Sequence, residues 1–401
     1  MVPRLGAFAA LAIGMVMTSA AAQQTSVQPG IEVLLADRQD LLHNKRVGIL
    51  TNLSGVDRAG VGDVDRLRAA GVRLTAIFSP EHGFRGNLNR EGIINSVDAA
   101  TGLPIFSLYG QTRAPTSEML DTLDVLLVDL QDIGARPYTY ISTTLLTLRA
   151  AAAAKKPVIV LDRPNPIGDQ IQGPMLDSAF SSFVGMLSIP LRHGLTLGEM
   201  ALLGNDTLAI HADLKVIAAQ GWQRGMSFEA TGLPWVAPSP NIPDLESAMH
   251  YPGLVLFEGT NVSVGRGTSI AFQVVGAPWL KPGALIARLG AVPGVTLSAA
   301  VLAPQAPGDG KYDGQEIPAI RLHVTDRAVY DPVRLAVALL CAMKADYGDA
   351  LTFDAKAFDE RAGSDRLRSA VESGEKPERI WQTWAAGLGR FAKERRRYLL
   401  Y

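Results

Sequence analysis

VLLVDLQDIGARPYTYISTTLLTLRAAAAAKKPVIVLDRPNP (residues 125–166) is the stretch whose reading decides the fold. It opens with a Val- and Leu-rich run, 125–130, and closes on a second one, 157–162. Between them, residues 138–156 carry helical spacing and a block of alanines. Strand, helix and strand at these lengths make a βαβ unit, whose two strands are parallel. Neither run alternates with polar residues, which fits strands covered on both faces.

The pattern extends in both directions. Upstream, residues 31–42 read as a helix, 46–52 as a buried strand, 61–71 as a helix closed by Gly71, and 72–79 as a second strand. A short strand (105–109) and a short helix (117–123) lead into the central unit. Downstream, residues 195–206 read as a helix opened by a Thr196/Glu199 capping box, and 214–219 as another strand. Prolines crowd residues 231–243, where Trp235 favours an ordered loop over a linker. YPGLVLFEGTNVSVGRGTS (251–269) reads as a strand entering a Gly-rich turn. Short strands (271–276, 320–326) then alternate with helices (283–290, 333–343). Near the C-terminus Ile380, Trp384, Leu388 and Phe391 repeat at helical spacing and read as core, whereas ERRR (394–397) reads as a solvated face. The predicted fold class is α/β: a Rossmann-like, mostly parallel sheet domain over 30–250, then a smaller α+β domain over 251–401 that completes a cleft.

Residues 1–22 have the order of a secretory signal: Arg4, a short apolar run, then Ala20-Ala21-Ala22. Export to a periplasm or beyond is therefore expected. No later apolar run reaches spanning length, and no cysteine stands near the cleavage site, so no membrane anchor is expected. The one cysteine, Cys341, lies in an apolar run and reads as core. A net charge of -1 argues against nucleic acid as a partner. Neither GxGxxG nor GxxxxGK[ST] occurs, and the six histidines are dispersed without an HExxH, so neither a nucleotide cofactor nor a resident metal is expected.

Four polar segments each follow an apolar run: ILTNLSG (49–55), SPEHGFRG (79–86), DLQDIGAR (129–136) and LDRPNP (161–166). Open α/β sheets bind ligands at the carboxyl ends of their strands, so the four read as one site. Glu81 is the candidate general acid, in a pocket made partly apolar by Phe84. His82 reads equally as an acid/base partner, a substrate or metal ligand, or a structural histidine. If the strand continues, Asp129 and Gln131 share one side of it and Asp132 takes the other. Asp132 has Arg136 nearby and Asp162 has Arg163, so either pair serves a ligand or only a loop. Asn52, Arg85 and Asn165 add further polar groups for a substrate. Glu258 and Arg266 sit among Gly259, Gly265 and Gly267, which allow close backbone approach to a ligand or merely a surface turn. Two carboxylates flanking a bond are the usual equipment of glycoside hydrolases. The residues alone also admit a sugar-binding protein without turnover, and a metal-dependent amidase or deacetylase built on His82, Asp129 and Asp132.

VGILTNLSGVDRAG, FSPEHGFRG, SLYG, DLQDIGARPYTYISTT, LDRPNPIG, PSPNIP, EGTNVSVGRGT and the closing YLLY, in that order, resemble the exo-β-N-acetylmuramidase family of NamZ-type glycoside hydrolases. The resemblance runs from about Gly30 to Tyr401. It implies removal of a non-reducing terminal N-acetylmuramic acid from peptidoglycan fragments, by a Rossmann-like domain and a smaller C-terminal domain with the site between them. It also implies that Glu81 is the catalytic acid. Muramic acid carries a lactyl carboxylate, which an arginine would pair in two-point fashion; Arg85, Arg136, Arg163 and Arg266 are the candidates. The second carboxylate stays open among Asp129, Asp132, Asp162 and Glu258, with the substrate's own acetamido group as a further option. The chain departs from the family pattern at Leu53, where that pattern has TNPSG, and at Gln273, where it has a PFE-type segment.

Overall fold

The computed structural model describes residues 1–2, 27–86 and 92–401. Nearly all of the signal-like segment, 1–22, lies outside the described residues. Seven strands form the main sheet: β1 (Val47–Thr51), β2 (Leu74–Ser79), β3 (Ser96–Val97), β4 (Pro104–Ser107), β5 (Val125–Asp129), β6 (Val158–Leu161) and, later in the chain, β9 (Leu214–Ile217). Their order is β3-β4-β2-β1-β5-β6-β9, and only the edge strand β3 runs antiparallel to its neighbour. The chain builds outward from β1 on one side, then returns to place β5 on the other. The strand order therefore reverses at β1/β5, the position where open α/β sheets bind ligands.

Period-two alternation sends each strand's side chains to opposite faces. Ile49, Leu127 and Ile159 enter a core under α1 (Gly30–Asp37) and α2 (Asp63–Ala69). Leu50, Val128 and Val160 enter a larger core on the other face. After the four-residue α3 (Ser117–Leu120), that larger core takes in α4 (Tyr140–Ala153) and α5 (Leu197–Thr207). Both faces are buried, as the unbroken apolar runs require. The α5 capping box is present: Thr196 Oγ1 accepts from the Glu199 N–H, and Glu199 accepts from the Thr196 N–H. A two-stranded ribbon, β7 (Gln172–Met175) and β8 (Pro190–Arg192), lies between α4 and α5 in the chain.

The second half begins with α6 (Leu245–Leu254), continued by a 3-10 turn at Val255–Gly259. This corrects the strand expected at 251–258. The segment is buried on every side, so it has no periodicity to separate helix from strand. The deciding signal is Asp244, whose carboxylate accepts from the Ser247 N–H and starts the helix. A three-stranded antiparallel sheet follows, ordered β10 (Val274–Gly276), β12 (Ile317–Val324), β11 (Val295–Leu302). Six further α-helices follow among the described residues: α7 (Pro282–Leu289), α8 (Pro332–Tyr347), α9 (Ala355–Ala362), α10 (Arg366–Glu372), α11 (Pro377–Gln382) and α12 (Ala385–Glu394). Ile380, Trp384 and Phe391 are buried in the larger core and Leu388 packs on it. The ERRR run is only partly solvated, because Arg395 donates to the carbonyls of Asp169, His193 and Gly194. The proline-rich segment is an ordered loop: Trp235 Nε1 donates to Pro243 O, and its ring meets Phe228 edge-on. Cys341 is partly buried against the core. Among the described residues no helix is long and apolar enough to cross a membrane.

Thr196 also donates to Asp162 Oδ2 at 2.6 Å, beside the Tyr401 hydroxyl at 2.9 Å. Thr196→Ala removes a cap and one of the donors to a buried carboxylate. It is expected to cost roughly 1–3 kcal/mol, read as a lower urea midpoint with an unchanged slope.

Candidate active site

A cleft of about 310 Å³ opens beyond the carboxyl end of β2 and is closed by the second half of the chain. From the first half come Glu81 and His82 after β2, Tyr109 and Arg113 after β4, and Tyr138 and Thr139 ahead of α4. The proline-rich loop adds Ser239 and Asn241. The second half adds Tyr251, Glu258, Arg266, Phe272 and, from α9, Arg361. His82 and Phe272 both hold positive φ, 69° and 59°. Such backbone is costly for residues other than glycine, and it tends to collect at functional sites.

Glu81 is half-buried, and its Oε2 accepts from Thr139 Oγ1 at 2.5 Å. The Tyr109 phenol beside it is pushed up to about 12, first by burial and then by the Glu81 charge. That phenol keeps its proton at neutral pH and remains a donor. Tyr138 is pushed up in the same way, chiefly by burial, and packs edge-on against Tyr140 and Tyr251 at 4.7 and 5.8 Å. The acid therefore faces a wall of aromatic rings and protonated hydroxyls, a surface suited to a sugar.

Glu258 has a different environment. It accepts from Arg266 Nε at 2.7 Å, again from Arg266 Nη2, and from Arg361 Nε at 3.1 Å. Burial opposes its charge, but the two guanidiniums outweigh burial and hold the carboxyl at about 2. Gly259 makes this possible: a Cβ there would lie 2.5 Å from the Phe358 backbone, so α9 can pack close enough to bring Arg361 in. Gly267 likewise lies against Gln305, where a Cβ would meet the carbonyl at 2.5 Å. Of the two readings of these glycines, approach to a ligand or a turn, neither is needed at Gly259 and Gly267, which admit the protein's own backbone.

Of the residues singled out from sequence, Glu81, His82, Glu258 and Arg266 line the cleft. The others do not, and each has a protein partner. Arg85 is largely exposed and pairs with Asp98 at 2.6 Å. Arg136 is buried and donates to the carbonyls of Pro174, Ile189 and Arg361. Asp129 takes both Nε and Nη2 of Arg163, which also donates to Val56 O. Asp132 accepts from the Gly134 N–H and stands 3.6 Å from His193. Gln131 donates to the carbonyls of Asp132 and Pro164, and Asn165 to that of Leu195. Asn52 donates to the Tyr140 hydroxyl and accepts from Ser54. Burial pushes Asp162 up to about 7, against hydrogen bonds from Thr196, Gly198 and Tyr401. The expectation that four strand ends meet in one site is thus corrected: three of them form a buried polar layer, and only SPEHGFRG reaches the cleft. A strand end inside a sheet is covered by the next loop, so its polar groups are first needed by backbone.

Sequence reasoning missed Tyr109, Arg113, Thr139, Ser239, Asn241 and Arg361. SLYG, RPYTY and PSPNIP marked four of them as motifs without assigning roles. Arg361 had no local signal, being one charge among several on a helix. Gln273, the departure from the family pattern, does not line the cleft: its amide donates to both oxygens of Asp244 and to Ser247, bracing the start of α6. The metal-site reading fares poorly on geometry, since Asp129 and Asp132 serve separate partners. Among the described residues no group of three or more His, Cys, Asp and Glu is placed to hold a metal ion.

Two family models match the chain. The one described as exo-beta-N-acetylmuramidase NamZ, N-terminal, covers residues 47–246, and its C-terminal counterpart covers 249–401. A peptidoglycan beta-N-acetylmuramidase NamZ from Bacillus subtilis (strain 168) is 41% identical over 386 residues, 95% of this chain and 92% of that protein. Crystal structures of two DUF1343 family proteins from Bacteroides fragilis NCTC 9343 superpose with TM-scores of 0.87 and 0.75. They are 35% and 32% identical, and in each case 94% of this chain and 99% of the other are covered. With both halves matched and the fold shared, the chain belongs to the NamZ exo-β-N-acetylmuramidase family of glycoside hydrolases.

Proposed function

We propose that this protein is an exo-acting β-N-acetylmuramidase that releases non-reducing terminal N-acetylmuramic acid from peptidoglycan fragments of the MurNAc–GlcNAc type, and that it acts after export from the cytoplasm. The observation that carries the reading is the pair of unlike carboxyls in one cleft. Glycosidases separate an acid from an anion by giving two carboxyl groups different surroundings. Glu258, clamped by Arg266 and Arg361, stays ionised and is unsuited to deliver a proton. Glu81, held by a hydroxyl and faced by aromatic rings, takes the acid role and protonates the departing glycosidic oxygen. Of the four candidates for the second carboxylate, Glu258 alone lines the cleft. The signal-like segment 1–22 supports export, which would bring the enzyme to wall fragments.

Turnover is tested with aryl β-N-acetylmuraminide, its N-acetylglucosaminide analogue and the MurNAc–GlcNAc disaccharide. Glu81→Gln is expected to lower kcat/KM on the disaccharide by roughly 10²–10⁴-fold, and less on the aryl glycoside, whose leaving group needs little help. Muropeptide binding without turnover by the unmodified protein would favour a binding protein instead.

A second test concerns Glu258. Its folded-state pKa of about 2 lies below the usual unfolded value of about 4.3, so its stabilisation is complete above pH 4.3 and is lost as pH falls through 2. Urea unfolding of the unmodified protein is expected to show a stability loss between these pH values. Glu258→Gln should flatten that loss and cost about 3–5 kcal/mol at pH 7, because two partly buried guanidiniums lose their counter-charge.

A further inference from the structure

A carboxylic acid has two oxygens, and only one of them carries the proton that it gives away. Which oxygen that is depends on what the other one meets. Thr139 lines the cleft and stands at the N-cap of α4, yet its side chain caps nothing. Its hydroxyl donates instead to Glu81 Oε2, at 2.5 Å. We propose that Thr139 is a positioning residue for the reaction, which holds Glu81 Oε2 as an acceptor and leaves Oε1 to carry and release the proton. This rests on the muramidase reading above and on Glu81 as its acid, and it names the group that makes that acid effective.

Three observations support it. First, threonine is a favoured N-cap because its oxygen can accept from the N–H groups of the first turn. Thr116 does so at α3 and Thr196 at α5. At α4 the same residue type gives up that contact, and its hydroxyl goes to the Glu81 carboxyl. Second, the hydroxyl is held before any substrate arrives. The Tyr138 N–H donates to Ala135 O at 3.0 Å, and the Thr139 carbonyl accepts from the Thr143 N–H at 2.9 Å. The next side chain, Tyr140, is tied to Asn52 and to Pro238 O. Thr139 itself is 8% exposed, and its β-branch restricts χ1. Third, the direction of the bond suits proton delivery. The hydroxyl has one proton to donate, and Oε2 receives it, so the acid's own proton belongs on Oε1. In the step, the Oε1–H bond breaks and an O–H bond forms on the glycosidic oxygen. The C1–O bond breaks with its electron pair going to that oxygen. Water then supplies the hydroxyl on C1 and the proton that restores Glu81, while Thr139 keeps its own proton throughout. The Thr139 hydrogen bond meets a neutral carboxyl at the start and a carboxylate at the end, so it strengthens as the proton leaves. An interaction stronger in the transition state than in the ground state is the kind that raises rate. The Tyr109 phenol is a second hydroxyl beside this carboxyl, shared with Arg113, and it is kept in every variant below.

The test uses the full chain, with Thr139→Val, which keeps the shape and removes the hydroxyl, and Thr139→Ser, which keeps the hydroxyl. Each is read on the MurNAc–GlcNAc disaccharide and on a nitrophenyl β-N-acetylmuraminide, whose leaving group needs little protonation. Thr139→Val is expected to lower kcat/KM on the disaccharide by roughly 10–10²-fold, and on the nitrophenyl glycoside by less than about threefold. Thr139→Ser should recover most of the disaccharide activity. In the Glu81→Gln background, Thr139→Val should cost less than about threefold further, because the hydroxyl acts only through that acid. A loss of equal size on the two substrates marks a threonine that only supports the fold, and overturns the proposal. An unchanged disaccharide rate in Thr139→Val overturns it as well, as does a full further loss in the Glu81→Gln background. Thermal midpoints establish that each variant is folded; should Thr139→Val fail to fold, Thr139→Ala carries the same comparison. No turnover of any muraminide by the unmodified protein rejects the muramidase reading itself, and full disaccharide activity in Glu81→Gln rejects the acid. Both results are separate from those of the Thr139 variants.

Discussion

Arg163 lies buried where β5 and β6 end, with Asp129 across its Nε and Nη2 and Asp63 of α2 alongside at 3.8 Å. One cation here meets two carboxyl groups, and all three are buried. Burial, reinforced by the Asp129 charge, pushes Asp63 well above the usual carboxylate range. An unpaired charge at this depth would be far costlier than either pairing. From this cluster's edge a directed chain of hydrogen bonds runs outward. The Gln131 N–H donates to Ser54 Oγ, Ser54 to Asn52, Asn52 to the Tyr140 hydroxyl, and Tyr140 to Pro238 O. It ends in the loop whose Ser239 and Asn241 wall the cleft. The charged layer fixes the strand ends, the chain fixes the loop, and the loop shapes the site.

That layering explains what could and could not be read from the residues. The βαβ unit at 125–166 was legible because its apolar runs are buried on both faces, and the capping box of α5 because it is a local contact. Residues 251–259 were misread because complete burial erases the helical period. The place of Glu81 in the cleft was legible because SPEHGFRG is a strand end that faces open space. The carboxylates of DLQDIGAR and LDRPNP carry the same signature in sequence, yet they face neighbouring loops, and only three-dimensional neighbours separate the two cases. Arg361 lies on a helix more than a hundred positions from Glu258. No local pattern announces a partner at that distance.

The cleft carries charges of both signs. Arg113, Arg266 and Arg361 stand against Glu81 and Glu258, while Glu360 at the rim leans to Lys356.

The contacts that bind distant parts of the chain have a consequence for how it folds. Tyr401 reaches Asp162 across 239 positions, Arg136 reaches the Arg361 carbonyl across 225, and Arg395 reaches the Asp169 carbonyl across 226. Each leaves a polar group of the first half without this partner until the second half arrives. The two halves are separable as family segments, but the molecule's cooperativity is not divided along that line. The parallel sheet remains an unfinished surface during synthesis, with a high contact order, and becomes a stable object only when the C-terminal helices dock.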